Sequence, residues 1–187
     1  MKKILVLTAI AVCAGVMVTG CKSKKVAVEQ GATEVVVPFA DKEYRSTKDF
    51  FRATQSGISP NLATAKKIAL TNAKTELASN VQTTVKTVTE AYTNQRSVAD
   101  KQEFENKFEE NAILVVNQSL NDVKIIGDKV FQNKNNYTYY IAIEMSKEII
   151  ANKIADRISK DSKLQLDFDK QQFKKVFDEE MKKLDNQ

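Results

Sequence analysis

The feature that most constrains the fold is a regular apolar stripe between Leu62 and Tyr92. Its members recur at every third or fourth position, at Leu62, Ala65, Ala69, Ala73, Leu77, Val81, Val85, Val88 and Tyr92. This spacing matches the period of an α-helix, so the sequence predicts one amphipathic helix of about eight turns. Alanines line its first half and would let a sheet or another helix approach closely. We therefore expect the stripe to face a hydrophobic core.

Segments typical of β-strands lie on both sides of this helix. They are rich in β-branched or aromatic residues and are bounded by turn-forming residues. The four segments are Glu34 to Phe39, Phe50 to Ser56, Val123 to Phe131 and Tyr137 to Met145. The last two are separated by a turn-like run, which predicts a hairpin. A bulge near Gly127 would reset the alternation of the first hairpin strand.

Helix starts are predicted from capping residues. Ser59-Pro60 is expected to begin the long helix, and Ser97 to Asp100 offers an S-x-x-D start for a second one. Ser146 is expected to cap a third helix, and a fourth is predicted over about Asp167 to Leu184. The fourth carries an apolar stripe of Phe173, Val176, Phe177, Met181 and Leu184. This stripe either docks on its own domain or pairs with a second copy, which would give an oligomer.

Together these elements predict an α+β fold. A small antiparallel sheet of three to four strands would pack against long amphipathic helices. Residues 34–187 are expected to form a single domain of this kind, including the C-terminal helix. Asn111 and Asn117 lie off the apolar stripe of the second helix, and we expect both to be solvated.

The N-terminal segment has the composition of a lipoprotein signal peptide. A basic start precedes an apolar run from Ile4 to Val18, and Val18-Thr19-Gly20-Cys21 has the residue types of a lipobox. The run is shorter than the roughly 20 residues that span a bilayer. We therefore predict a signal peptide over residues 1–20, cleavage between Gly20 and Cys21, and acyl chains on Cys21. The alternatives are an uncleaved anchor and a secretory signal with an incidental cysteine.

Residues 21–33 are small and polar, which is typical of a tether between the lipid-bearing residue and the domain. Lys22, Lys24 and Lys25 follow Cys21 directly. They either contact acidic lipid headgroups, for about 1 kcal/mol per charge, or remain solvated. The first predicted partner is therefore the lipid bilayer, bound through acylated Cys21.

The composition excludes most catalytic arrangements. The chain has no histidine, and once Cys13 leaves with the signal peptide its only cysteine is Cys21. This removes the commonest general base, the commonest metal ligand and any disulfide within one copy. The sequence also has no phosphate-binding loop motif and no nucleophile motif. We expect a protein that is not an enzyme and uses no cofactor.

Metal and nucleic-acid binding are both disfavoured by the pattern of charges. Asp161, Asp167 and Asp169 are oxygen ligands of the kind calcium prefers, but they lack the spacing of an EF-hand loop. Capping and solvation explain these aspartates better. The net charge of +5 comes from charges of both signs that are interspersed along the chain. Without a basic stripe, we expect no binding to nucleic acid.

Tyrosines of the second hairpin strand are the candidate contact residues. Successive residues of a strand point to opposite faces, so Tyr137 and Tyr139 share one face while Thr138 and Tyr140 share the other. If Tyr139 faces the covered side, Tyr140 points outward. Exposed tyrosine is common in protein interfaces. Tyr137 and Tyr140 are therefore the candidate contact surface, and the alternative is simple packing on the sheet.

Two stretches of the chain resemble the Lpp-twenty-type bacterial lipoproteins. Ala63 to Ala78 resembles their alanine-rich helix, in which A-x-x-x-A-x-x-x-A-x-x-x-L-A follows a short strand and a glycine. Tyr139 to Lys147 is similar to their closing strand and helix start, and the lipobox completes the likeness. The resemblance covers about Phe50 to Ile158, with Gly57 as the glycine and a shorter loop to the helix. It implies an α+β domain in an envelope lipoprotein without assigned catalytic residues.

The expected function is that of a non-enzymatic envelope lipoprotein that binds or scaffolds an unknown envelope protein. In well-studied envelopes an aspartate after the lipidated cysteine retains a lipoprotein in the inner membrane, so Lys22 indicates the outer membrane. The tether lacks the acidic cluster associated with surface export in some phyla, which favours the periplasmic face over the cell surface. The alternative is a periplasmic carrier of a small hydrophobic ligand, held between the sheet and the alanine-lined helix.

Overall fold

The computed structural model describes residues 35–96 and 100–185, with side chains up to residue 183. This part of the chain contains three strands, four α-helices and a short 3-10 helix. In chain order they are the 3-10 helix Lys42–Tyr44, β1 Phe50–Ser59, α1 Leu62–Asn94, α2 Lys101–Ser119, β2 Lys124–Gln132, β3 Tyr137–Ser146, α3 Lys147–Ile158 and α4 Lys170–Asp185. The predicted α+β class, with helices packed on a sheet, is confirmed.

The strands form one antiparallel sheet in the order β1-β3-β2, so β3 lies in its centre. Tyr139 of β3 pairs with Gly57 of β1 on one side and with Val130 of β2 on the other. The register of β2 against β3 shifts between Ile125 and Gly127. The predicted hairpin and its bulge are therefore confirmed.

The strand predicted over Glu34 to Phe39 is wrong for its described residues. Residues 35–37 have no regular structure, and Pro38 and Phe39 form a turn. Proline has no N–H to donate to a neighbouring strand, and Phe39 has a left-handed φ of 63°. The described chain therefore has three strands, which is the lower of the two numbers predicted.

The apolar stripe of α1 supplies the centre of the core. Its members from Ala65 to Tyr92 are all buried, as the periodicity predicts. Leu62 differs, because it lies in the first turn of the helix and remains 42% exposed. The opposing surface is the inner face of the sheet, where Phe51, Ile141 and Ile143 are buried. Burial of each such large apolar side chain contributes about 2 kcal/mol to the stability of the fold.

Helix α1 touches the backbone of β1 at Gly57. A Cβ atom at this position would lie only 2.4 Å from the carbonyl oxygen of Ala65 and 2.5 Å from the backbone nitrogen of Ala69. The alanines of the stripe therefore bring the helix against the strand, and glycine is required where the two backbones meet.

The start of α1 differs from the prediction. Strand β1 continues through Gly57 to Ser59, which pairs with Tyr137 of β3 and so cannot cap a helix. The cap is Asn61, whose side-chain oxygen accepts the backbone N–H of Thr64 at 3.1 Å. The pairing of the longer strand thus moves the start of the helix beyond Pro60.

The cap of α3 is the predicted one, whereas α2 is capped by the last residue of the predicted S-x-x-D start and not by its serine. Asp100 caps α2 by accepting the N–H of Glu103 at 2.9 Å, and Ser146 caps α3 by accepting that of Ile149 at 3.3 Å. Asn117 of α2 is exposed, as predicted. The prediction that Asn111 is solvated is wrong, because the packing of α3 against α2 leaves it only 7% exposed.

The apolar stripe of α4 docks within its own chain. Its described members, Phe173, Val176, Phe177 and Met181, are all buried in the main core. Phe173 lies 6.2 Å from Tyr92 of α1 and 5.4 Å from Phe108 of α2, measured between ring centroids. The hydroxyl of Tyr92 also accepts the backbone N–H of Asp169 at 2.8 Å, just before α4 begins. Pairing of this helix with a second copy stays a prediction, although its stripe is already occupied.

Candidate interaction surface

The two faces of the sheet have different surroundings. The inner face packs against α1, whereas the outer face presents alternate residues of all three strands. At one end of the outer face the row is Ile58, Thr138 and Phe131, and the next row is Ser56, Tyr140 and Lys129. The third row, Thr54, Ala142 and Gly127, is followed by the pair of Arg52 and Glu144. The end of the outer face near Arg52 is covered by a neighbouring segment, and the end near Ile58 is open.

The segment Phe39–Ser46, which we name the strap, contacts the covered end. One terminal nitrogen of Arg52 donates to the carbonyl oxygens of Glu43 at 2.8 Å and Arg45 at 3.3 Å. The backbone N–H of Arg52 donates to the hydroxyl of Ser46 at 2.9 Å. The same guanidinium forms an ion pair with Glu144 at 3.1 Å. Arg52 therefore fixes the strap to both β1 and β3.

An aromatic residue holds the other end of the strap. The ring of Phe39 lies against Gly127, where an added Cβ atom would be 2.7 Å from a ring carbon. Tyr44 packs edge-on against this ring, and the ammonium group of Lys129 lies 5.4 Å from the ring centroid. These contacts hold Phe39 in its left-handed conformation, which is costly for a bulky residue. The bulge in β2 thus has a structural role, because Gly127 beside it leaves room for the Phe39 ring of the strap.

The open end of the outer face carries exposed apolar and aromatic side chains. Ile58 is 60% exposed and Phe131 is 52% exposed. Phe131 packs edge-on against Tyr140 at 5.7 Å between ring centroids, so the two rings are held together on the surface. We name Ile58, Phe131, Thr138 and Tyr140 the open patch. A rigid group of apolar and aromatic side chains on a sheet is well suited to contact another protein.

The structure separates the two tyrosines that the sequence proposes as a contact surface. Tyr140 lies on the outer face beside Thr138, as expected from the alternation of β3. Tyr137 lies on the inner face, where it is half-buried and packs against the core. The two side chains therefore do not form one surface, and a contact role for either stays a prediction. Phe131 and Ile58 were missed, because Ile58 lies beyond the predicted end of the first strand at Ser56 and the pairing of both residues with Thr138 depends on the assembled sheet.

Tyr139 is engaged on the inner face. Its hydroxyl donates to a carboxylate oxygen of Asp128 at 2.5 Å, and the ammonium group of Lys66 lies 5.6 Å from its ring centroid. Burial and the negative charge of Asp128 raise the pKa of Tyr139 to about 12. The phenol therefore stays protonated at neutral pH and remains a hydrogen-bond donor in the packing of the hairpin.

Asp161 and Asp169, two of the three aspartates with calcium-type oxygen ligands, accept backbone N–H groups that follow them in the chain. Asp161 accepts the N–H groups of Lys163 at 2.9 Å and Leu164 at 3.3 Å, and these bonds contribute to a lowered pKa of its carboxyl group. Asp169 accepts the N–H groups of Gln172 and Gln171 at the start of α4, which also lowers its pKa. Within the described ranges no three His, Cys, Asp or Glu side chains are grouped so that they could hold a metal ion.

The predicted cleavage and lipidation sites, Gly20 and Cys21, lie outside the described residues, as does the predicted tether over residues 21–33. In the described part of the chain, no helix combines the length and the apolar character that crossing a membrane requires. The signal peptide and the lipid anchor therefore stay predictions from the sequence.

Comparison with known proteins finds no matching family model, no significantly similar curated protein and no significantly similar solved structure. The resemblance to the Lpp-twenty-type lipoproteins thus stays a prediction carried by the quoted residues alone.

Proposed function

We propose that the protein is a non-enzymatic bacterial envelope lipoprotein that is anchored through Cys21 and binds another envelope protein through the open patch. The observation that carries the binding role is the exposed, edge-on pair of Phe131 and Tyr140 beside Ile58. The observation that supports the location is the lipobox that ends at Cys21. The proposed location is the periplasmic face of the outer membrane: Lys22 supports the outer membrane, and the lack of an acidic cluster in the tether supports the periplasmic face.

The anchor is proposed on energetic grounds as well as on its motif. Each acyl methylene that enters the bilayer contributes about 0.8 kcal/mol, and a single chain gives only reversible binding. Two or three chains on Cys21 would make release negligible on a cellular timescale. A domain held in this way meets its partner at a membrane surface, so the affinity of the contact itself can be modest.

The open patch supports protein binding better than the carriage of a small ligand. Its side chains lie on a sheet surface and are held by neighbours across the strands, which lowers the entropy lost on binding. The space proposed for a carried ligand, between the sheet and α1, is occupied at Gly57 by the contact of the helix with the strand. A cavity of about 310 Å³ does lie between Phe51 of β1 and Thr84 of α1, but most of the residues that line it are polar, which suits a hydrophobic ligand poorly.

Site-specific photocrosslinking in cells tests the proposal. A crosslinking residue at position 131 or 140 should yield a discrete adduct with one envelope protein. The matched control is position 67 on α1, because Lys67 is exposed and lies outside the sheet. Identical adducts from positions 131 and 67 would contradict a binding role for the open patch.

An alanine substitution in the open patch then measures how much the patch contributes to binding of the partner. Phe131→Ala should weaken recovery of the same partner about tenfold or more, because interface aromatic side chains often contribute over 1.4 kcal/mol. Lys67→Ala should leave recovery unchanged. An unchanged recovery in Phe131→Ala would show that the partner binds elsewhere on the domain.

A further inference from the structure

A cavity of about 530 Å³ lies between α2 and α3 and shares no residue with the outer face of the sheet. Asn111 and Ser119 of α2 line one side of it, and Lys153 and Arg157 of α3 line the other, together with Lys160 in the turn that follows α3. Lys153 and Arg157 are four positions apart, so they share one face of α3. The cavity therefore has a row of cationic side chains along one wall.

Arg157 is oriented by a buried amide. Its Nε–H donates to the side-chain oxygen of Asn111 at 2.7 Å. The amide nitrogen of Asn111 in turn donates to the carbonyl oxygen of Lys107 and to Asp161, both at 3.0 Å. Both ends of the Asn111 amide are thus engaged, which fixes the direction of the guanidinium without neutralising its charge.

The carboxylates that line the cavity are already engaged. Asp156 forms an ion pair with Lys170 at 2.5 Å, and Asp161 accepts hydrogen bonds from Asn111 and from two backbone N–H groups. Lys153 forms an ion pair with Asp122 at 3.1 Å.

Two cations beside this cavity form no ion pair with a described carboxylate, although the charge of Lys160 adds to the lowering of the Asp156 pKa that is caused chiefly by Lys170. No described carboxylate forms an ion pair with Arg157 or Lys160, and no described acceptor bonds to the two terminal nitrogens of Arg157. The guanidinium, held through its Nε–H, therefore lines the open cavity with N–H groups that have no described acceptor.

We infer that this cavity binds an oxyanion through Arg157. The guanidinium group is planar and presents parallel N–H donors that match two oxygens of a carboxylate or phosphate group. Lys160, in the turn that follows α3, adds a second positive charge beside the same cavity. This inference does not depend on the proposed partner of the open patch, because the two sites share no residue.

Calorimetric titration of the full chain in detergent at low ionic strength tests the inference. Inorganic phosphate and succinate are titrated separately, since they carry the two candidate oxyanion groups. We expect saturable binding of at least one ion. Binding of phosphate alone would assign a phosphate ligand, and binding of succinate alone would assign a carboxylate ligand. The absence of saturable binding with both ions would overturn the inference.

Matched variants locate the binding. Arg157→Gln should weaken binding about tenfold or more, because it removes two charge-assisted hydrogen bonds. Arg157→Lys keeps the positive charge but loses the planar guanidinium group, so it should also weaken binding. This variant replaces Arg157→Gln in the test if the glutamine variant does not fold. Lys67→Gln makes the same change in net charge on α1 and should leave binding within about twofold. An equal loss in Lys67→Gln and Arg157→Gln would reduce the effect to general attraction and would overturn the inference.

Discussion

The guanidinium of Arg52 lies 3.1 Å from the carboxylate of Glu144 and joins β1, β3 and the strap at one point. The side chains of Arg52 and Glu144 are only 17% and 11% exposed, so water screens the pair weakly. Arg52 also donates to two strap carbonyl oxygens. The low exposure of the ion pair and the several hydrogen bonds that the Arg52 guanidinium donates both favour a stabilising contact.

Arg52→Ala should lower the free energy of unfolding by about 3 kcal/mol, because it leaves the buried carboxylate of Glu144 without its main partner. Urea unfolding of the variant and of the parent chain gives this difference. Lys67→Ala is the control, since exposed cations without partners change stability by about 0.5 kcal/mol or less. A loss as small as that of the control would show that the ion pair contributes nothing.

Gly57→Ala should destabilise the protein by about 2 kcal/mol or more, because the added methyl group meets the backbone of α1 rather than a flexible side chain. Thermal unfolding would show a lower Tm. Ser56→Ala, one residue earlier on the outer face, should have little effect. Equal Tm values for the two variants would mean that α1 can move away from β1 without cost.

Acid should destabilise the protein partly through Asp161. The pKa of this carboxyl group is lowered in the folded state by its hydrogen bonds with the backbone N–H of Lys163, the side chain of Asn111 and the backbone N–H of Leu164. Its contribution to stability is therefore complete above its unfolded pKa of about 3.9 and is lost as the pH falls through the lower, folded value. Asp161→Asn should reduce the difference in unfolding free energy between pH 5 and pH 3, measured in urea. An unchanged difference would contradict this role.

Cys21→Ala should abolish lipid attachment and leave a larger precursor, because the lipobox peptidase acts on the modified cysteine. Immunoblotting and detergent partitioning of cell extracts would measure both effects. Cys13→Ala is the matched control, since Cys13 lies within the apolar run of the signal peptide. A Cys21→Ala chain of mature size in the detergent phase would contradict the predicted anchor.

The parts of the fold that depend on local periodicity could be predicted from the sequence. The stripe of α1, the alternation of β3 and the cap at Ser146 are each encoded within a few neighbouring residues. The start of α1 was misplaced because it depends on the pairing of Ser59 with Tyr137 in a strand far along the chain.

The candidate sites depend even more on distant contacts. The ring of Phe39 rests on Gly127, and Asn111 is buried by the packing of α3 against α2. Neither contact produces a periodic pattern in the sequence. For this reason Asn111 was predicted to be solvated, and the valine-rich segment before Phe39 was predicted to be a strand. Tyr140 could be placed because its orientation follows from strand alternation alone.

The strap has a mechanical consequence for a chain that is held at its N-terminal side. Tension that enters the domain along the backbone reaches Phe39 and the carbonyl groups of Glu43 and Arg45 before it reaches the first strand. These contacts would be the first to bear the load. The sheet behind them would be strained only after the strap had peeled away.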